Sequence, residues 1–256
     1  MSDYIPSSPE EAEFLANYNP TKYGPGVGYT ADTVVLTIRN GKLAVLLIKR
    51  GGFPYKDHWA LPGGFVNHDE SADEGAVREL VEETGISIDK VYIEQLKTYS
   101  TPGRDPRMRI ISTAYIAFIP DLPTPVGGDD AAEAHFFAIE DLFDDEENIN
   151  LAFDHELIIR DALERAASKL EYTPLAAVFL EEQFTLSDLR RVYEAVWGES
   201  LHAANFRRKV LSTTGFVVPV GTKGESKFDT GRTADLYESG NLSMLHPAIL
   251  RTSLKS

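Results

Sequence analysis

The chain has no cysteine in its 256 residues, which removes disulfides, thiolate metal sites and cysteine nucleophiles from consideration. A reducing, cytoplasmic setting is the expectation that goes with that composition. Long apolar runs are missing too. Nothing approaches the roughly 18 consecutive apolar residues of a membrane helix. The opening "MSDYIPSSPEEAEF" also lacks the basic stretch and apolar core of a secretory signal, so no membrane partner is expected. Positive charge is scarce, with 25 Lys and Arg against 40 Asp and Glu and a net charge of −15. Non-specific nucleic-acid affinity rests on neutralising phosphates, so bulk charge does not mark the whole chain as a nucleic-acid binder. The deficit is uneven, however. Residues 1–170 hold 15 Lys and Arg against 30 Asp and Glu, whereas residues 171–256 hold 10 of each. That asymmetry points to two units with different jobs.

What is present reads as a mixed α/β unit followed by a smaller helical one. Strands are expected at 33–39 and 42–49, joined by Asn40-Gly41, the strongest short hairpin signal. A Gly- and Pro-punctuated loop follows, with a short strand near 59–61. Ser71 and Glu74 have the spacing of a capping box, the apolar period of Ala76, Val77, Leu80, Val81 and Thr84 continues a helix, and Gly85 ends it. Further strands are expected at 91–99, 109–119 and 134–139, and a helix at 155–170. In the neutral C-terminal part, helices at 186–197 and 203–211 precede β-type runs at 216–220 and 236–237, the outline of a winged helix. The expected division is an extension over 1–28, a mixed-sheet domain over 29–150, a connecting helix over 151–172, a winged helix over 173–240 and a tail over 241–256.

The first helix contains "RELVEETG", residues 78–85, with three carboxylates in five positions. At about 100° per residue, Glu79, Glu82 and Glu83 share one arc, and the apolar residues fill the opposite, core-facing one. Gly75, one turn earlier, leaves the acidic arc open, and Arg78 is placed to brace Glu82 at spacing i, i+4. A solvated acidic face is the plain reading. Against it, acids near a helix C-terminus lie where the macrodipole disfavours negative charge. Long Glu side chains with no Cys or His beside them suit a hard cation, Mg2+ or Mn2+, which keeps waters for a phosphate substrate.

The wider spacing, "GGFVNHDESADEGAVRELVEETGI", holds Gly64, Glu70, Arg78, Glu79, Glu82, Glu83 and Gly85 in register. It resembles the complete signature of the Nudix hydrolase family. The resemblance implies a mixed sheet sandwiched between helices and metal-assisted hydrolysis of a nucleoside diphosphate linked to another moiety. It further implies that Glu79, Glu82 and Glu83 hold the metal, that Arg78 orients a carboxylate and that Gly64 begins the loop–helix turn. Glu70 either joins the site or complements the helix dipole. Arg104, Arg107 and Arg109 follow the signature. They suit bidentate phosphate contacts, with internal salt bridges as the alternative. Asp129, Asp130 and Glu133 are candidates for a base or an extra ligand, and the sequence does not choose among them. These segments and "WALPGGFV" resemble the ADP-ribose pyrophosphatase branch, so ADP-ribose is the expected ligand.

"FLANYNPTKYGPGVGYTAD", "LAFDHELIIRDAL" and "FTLSDLRRVYEAVWGESLHAANFRRKVLSTTG" extend the likeness over nearly the whole chain. They resemble the NrtR family, Nudix-related transcriptional regulators of NAD metabolism. The resemblance implies an ADP-ribose-sensing Nudix domain and a winged helix that binds operator DNA in a dimer. Asn205, Arg207, Arg208 and Lys209 sit on the helix expected to enter the major groove. Arg190, Arg191, Lys223, Lys227 and Arg232 are candidates for phosphate contacts, and a dimerisation module is the alternative for this domain. The sequence departs from the family at Arg232-Thr233-Ala234-Asp235, where a proline is usual after the arginine, and it keeps a signature that many regulators have lost. Three readings follow: a hydrolysing regulator, a plain Nudix hydrolase with a dimerising C-terminal domain, and a repressor that senses without hydrolysis.

Overall fold

The computed structural model describes residues 7–17, 26–86, 91–120, 131–144, 146–228 and 233–251. A short helix, α1 (Pro9–Ala16), precedes the sheet and is opened by Ser8, whose hydroxyl accepts the Glu11 N–H. The Asn40-Gly41 turn joins β1 (Gly28–Arg39) to β2 (Lys42–Arg50). Both turn residues have positive φ, 51° and 77°, the hand that matches strand twist in a tight hairpin. β1 begins earlier than its apolar run because its first half finds partners far along the chain. It pairs in parallel with β6 (Ile110–Phe118), from Gly28 opposite Ile110 to Leu36 opposite Phe118, and antiparallel with β4 (Gly63–Phe65). The path is completed by β3 (Trp59–Ala60) and β5 (Tyr92–Tyr99) in the order β3-β2-β1-β6-β5, with β7 (Ala131–Ala138) also on β2. A short helix, α3 (Ile139–Leu142), follows β7.

Strand alternation divides the core into two layers. Val34, Leu36, Val45, Leu47, Ile116 and Phe118 face α4 (His155–Tyr172), which supplies Ile158, Ile159, Ala162 and Ala166. Val35, Leu46, Ile48 and Ile119 face α2 (Ala72–Thr84), which supplies Leu80. The sheet is therefore sandwiched between helices, as the resemblance implies. Ser71 and Glu74 form the capping box of α2, and Gly85 closes it in the left-handed region at φ 67°. Its core face is narrower than the helical period suggests. Gly75, Ala76, Leu80 and Thr84 are buried, but Val81 is 40% exposed. Glu83 rather than Val81 turns toward the sheet, where it accepts the Gly63 N–H.

The C-terminal part runs through a 3-10 turn (Pro174–Phe179), β8 (Phe184–Thr185), α5 (Leu186–Trp197), α6 (Ala203–Ser212), β9 (Val217–Glu225) and β10 (Thr233–Ser239). Its strands are ordered β8-β10-β9, giving two helices and a β-hairpin wing. α4 is a shared wall rather than a linker. Its second half buries Ala166 and Leu170 among Leu175, Phe179, Tyr193 and Phe206. Trp197 Nε1 donates to the Ala167 carbonyl at 3.1 Å, and the Tyr193 hydroxyl to that of Leu170 at 3.0 Å. Each fully buried Ile or Leu of such a stripe contributes about 1.5–3 kcal/mol. No helix among the described residues is long and apolar enough to cross a membrane.

Candidate active site and nucleic-acid interface

Arg78 uses all five of its N–H donors. Nε and Nη2 fork onto Glu70 at 3.0 and 2.7 Å, and Nη2 also reaches the Phe65 carbonyl at 3.1 Å. Nη1 bridges Glu79 and Glu82 at 2.8 and 2.9 Å. The brace expected for Glu82 is thus one arm of a hub. Glu70 also accepts the Asn67 N–H at 2.7 Å. Arg78 first, and that backbone bond second, hold its carboxyl down to about 2. Glu70 therefore ties the loop before α2 to the acidic arc. A Cβ on Gly75 would sit 3.2 Å from the Glu70 carboxylate and 3.3 Å from Val66, so the glycine lets that loop lie close. Gly64, on β4, has a sharper duty, because a Cβ there would overlap the Glu79 carboxyl group.

Glu83 turns the other way, into a cleft formed by β1, β2, β4 and the start of α4. Burial pushes its carboxyl up to about 8. The Gly63 N–H at 2.8 Å offsets part of this, and the nearby charges of Glu79 and Asp32 add to it. The Glu79 carboxyl is also raised, by burial first. Among the described residues, no three His, Asp or Glu side chains converge closely enough to hold an ion as they stand. Arg78 draws Glu79 and Glu82 to its own side. The donor set nonetheless fits a hard divalent cation in chemistry. It consists of carboxylate oxygens within two turns of one helix, and among the described residues the half-buried Glu83 has an amide N–H as its hydrogen-bond partner.

The cleft gathers Gly64, Arg104 and Arg107 but not Arg109 or Glu133. Arg104, with its side chain 4% exposed, forks onto Asp154 at 2.9 and 2.6 Å and lies 3.9 Å from Asp32. Arg107 pairs with the buried Asp105 at 2.7 Å and lies over the rings of Phe65 and Phe153, at 5.5 and 5.8 Å. The internal pairing weighed for these arginines therefore exists, yet both still line the cleft. Nη1 of Arg109 is buried without a hydrogen-bond partner. Glu133 pairs with Lys49 at 3.8 Å on β7, and Asp129 and Asp130 lie outside the described residues. The sequence reading missed Asp32, Arg50, Phe153 and His155, which also line the cleft. His155 is buried, and its Nδ1 accepts the Leu61 N–H at 2.9 Å while burial lowers its pKa. Phe153 has a left-handed φ of 52° and carries Arg50 over its ring at 4.8 Å. The stretch "LAFDHELIIRDAL" carries a family likeness but no local pattern that assigns Phe153 or His155 to a site.

In the winged helix, α6 turns Phe206 and Val210 into the core and leaves Arg207 and Arg208 exposed. Asn205 and Lys209 are half-buried, and Arg208 Nη2 donates to the Asn205 side chain at 3.4 Å. The cations Lys223 and Lys227 of the wing are exposed. Arg232 lies outside the described residues. Arg190 and Arg191 both pair with Glu194 on α5, the helix before α6. Arg191 and Glu194 line a groove shared with Lys42 and Glu140 of the first domain.

Residues 28–161 match the family model for the NUDIX domain, and residues 176–238 match that for the NrtR DNA-binding winged helix domain. The chain is 33% identical over 239 residues to the "ADPR responsive transcriptional repressor NtrR" of Acinetobacter baylyi, covering 93% of this chain and 91% of that one. It is 48% identical over 122 residues to the "ADP-ribose pyrophosphatase" of Methanocaldococcus jannaschii, covering 46% and 64%. The crystal structure of Shewanella oneidensis NrtR complexed with a 27mer DNA matches with a TM-score of 0.69 at 30% identity, over 85% of this chain and 99% of that one. With the carboxylate helix, its arginine hub and the winged helix in place on one chain, the protein belongs to the Nudix family, in the group that carries the NrtR DNA-binding winged helix.

Proposed function

We propose that the chain is an ADP-ribose-responsive transcriptional regulator that also hydrolyses its ligand. In this reading it is a Mg2+-dependent pyrophosphatase giving AMP and ribose 5-phosphate, and its winged helix binds operator DNA within a homodimer. One observation carries the reading. α4 begins with His155 in the cleft, beside Asp154 on Arg104, and ends as the wall that accepts hydrogen bonds from Trp197 and Tyr193 of α5. The candidate ligand site and the candidate DNA-binding domain thus share one helix. The names of the Acinetobacter and Methanocaldococcus relatives support the ligand, and the DNA complex of the Shewanella relative supports the operator.

Glu79, Glu82 and Glu83 would hold the cation, which supplies neutralisation of the diphosphate and acidification of the attacking water. Arg78 orients Glu79 and Glu82. Asp154 and Asp105 fix Arg104 and Arg107 through Nε and Nη2, leaving Nη1 of each for phosphate oxygens. In the hydrolysis, a water oxygen adds to one phosphorus and the water gives up a proton. The bridging P–O bond breaks, and the other phosphate leaves with the bonding pair. A second reading, sensing without hydrolysis, draws on the grip of Arg78 on Glu79 and Glu82, which keeps them from converging. The discriminating experiment is incubation with ADP-ribose and Mg2+, comparing wild type with Glu82→Gln. Glu82 is 58% exposed in its side chain, so the variant should stay within about 0.5 kcal/mol of wild-type stability. The hydrolysing reading expects AMP release to fall at least ~100-fold, the upper end of what an outer-shell partner is worth at a metal site. No release by wild type, with ADP-ribose still bound, favours the sensor.

A further inference from the structure

The N-terminus of α5 carries a carboxylate that does more than cap. Asp188 Oδ2 accepts the Thr185 N–H at 2.9 Å and the Thr185 hydroxyl at 2.7 Å, and the Thr185 hydroxyl accepts the Asp188 N–H at 3.1 Å. This is a complete capping box, and it occupies a single carboxylate oxygen. α2 has the same device in Ser71 and Glu74, where Oε2 makes the bonds and the residue is exposed. Asp188 is only 2% exposed. Burying a carboxylate is costly unless its lone pairs are satisfied, and here the second oxygen has its own partners. Oδ1 accepts the Ser226 hydroxyl at 2.6 Å and the Phe228 N–H at 3.3 Å. Both donors come from the chain leaving β9, at the far end of the wing strand.

These bonds hold the chain on both sides of Lys227. Ser226 is 7% exposed, and Phe228 packs against the core. Lys227 stands exposed between two inward-turned neighbours, with Lys223 exposed on β9 ahead of it. We propose that Asp188 is a positioning residue for nucleic-acid binding, a latch between the cap of α5 and the wing that points Lys227 at a phosphate of the DNA backbone. The proposal rests on the DNA-binding reading above. The latch touches no DNA itself.

The test is the salt dependence of binding by the full chain to a duplex taken from the region upstream of its own gene. Each phosphate contact adds about 0.9 to the slope of log affinity against log salt. Lys227→Ala should lower the slope by about that amount, so that the loss of affinity between 50 and 200 mM salt is about 3.5-fold smaller. Ser226→Ala, which leaves the Thr185–Asp188 cap intact, should lower the slope equally. Ser226→Thr, which keeps the hydroxyl, should retain it. The double variant Ser226→Ala/Lys227→Ala should match Lys227→Ala alone, because the serine acts through the lysine. A wild-type complex whose slope is unchanged by Ser226→Ala, or a double variant whose losses add, overturns the latch and leaves the DNA-binding reading standing. A wild-type chain that forms no salt-dependent complex overturns both.

Discussion

At the scale of single residues, the site is organised around what Arg78 holds and what Gly64 leaves empty. The guanidinium counters Glu70, Glu79 and Glu82 at once, which eases the repulsion between Glu79 and Glu82 on their shared arc. Glu83 lies beyond its reach and bears the cost of burial instead. Gly64→Ala should therefore keep the fold but displace the Glu79 carboxylate. Hydrolysis of ADP-ribose should fall at least ~10-fold, the low end for misplaced site partners, with the melting temperature within a few degrees of wild type. Glu70 gives a pH prediction. Its folded carboxyl is held near 2 by Arg78 and the Asn67 N–H, below the ordinary value of 4.5. A depressed carboxyl adds stability that is complete above the unfolded value and is lost as pH falls through the folded one. Glu70→Gln should thus flatten the decline of stability between about pH 4.5 and 2 and leave the slope near neutrality unchanged, as read by denaturant unfolding across that range. Of the site residues, those on the carboxylate helix were legible because one helix sets their spacing. Asp32, Arg50, Phe153 and His155 were not, because the β1–β2 hairpin holds the first two and the return of the chain at Leu151 beside Trp59 brings the last two to them.

At the scale of elements, α4 is the piece whose role the sequence understated. Its helical period was plain, and its N-cap, Asp154, has the type that usually caps. Yet the Asp154 side chain makes no cap bond and is given to Arg104 instead. That diversion is a tertiary fact without a local signal. Along the helix, Asp161 bonds Lys97 and Tyr99, Arg165 bonds the Leu96 carbonyl, and Lys169 pairs with Glu94, so one edge is zipped to β5. Asp154→Ala would leave Arg104 buried with Asp32 at 3.9 Å and the charge of Asp105 nearby. Breaking a buried pair from one side costs about 3–5 kcal/mol, and the remaining aspartates place this case near the lower end. Denaturant unfolding of the variant should show that loss, and binding of ADP-ribose should weaken with it. The capped and glycine-terminated elements, α2 and the Asn40-Gly41 hairpin, were legible for the opposite reason, since their signals are contained within a few residues. β4 and β8 were not, being too short to carry a pattern and formed only by pairing.

At the scale of the whole molecule, charge and core tell different stories. The acid lies in the first part of the chain, which suggested two units, and the helices and wing of the second are present. The buried core nonetheless runs without a break from the sheet through α4 into the winged helix. A continuous core with the candidate ligand site at one end of a shared helix and the winged helix domain at the other gives a physical route by which one site biases the other. Coupling of that kind is reciprocal and typically amounts to about 1–3 kcal/mol, or 5–150-fold in affinity. The most direct measurement is the affinity of the full chain for its upstream duplex at fixed salt, titrated with ADP-ribose in the Glu82→Gln background so that the ligand persists. DNA affinity should change at least about 5-fold at saturating ADP-ribose, with an equal change in ADP-ribose affinity when DNA is present. DNA affinity that stays constant while ADP-ribose saturates the cleft would contradict that coupling.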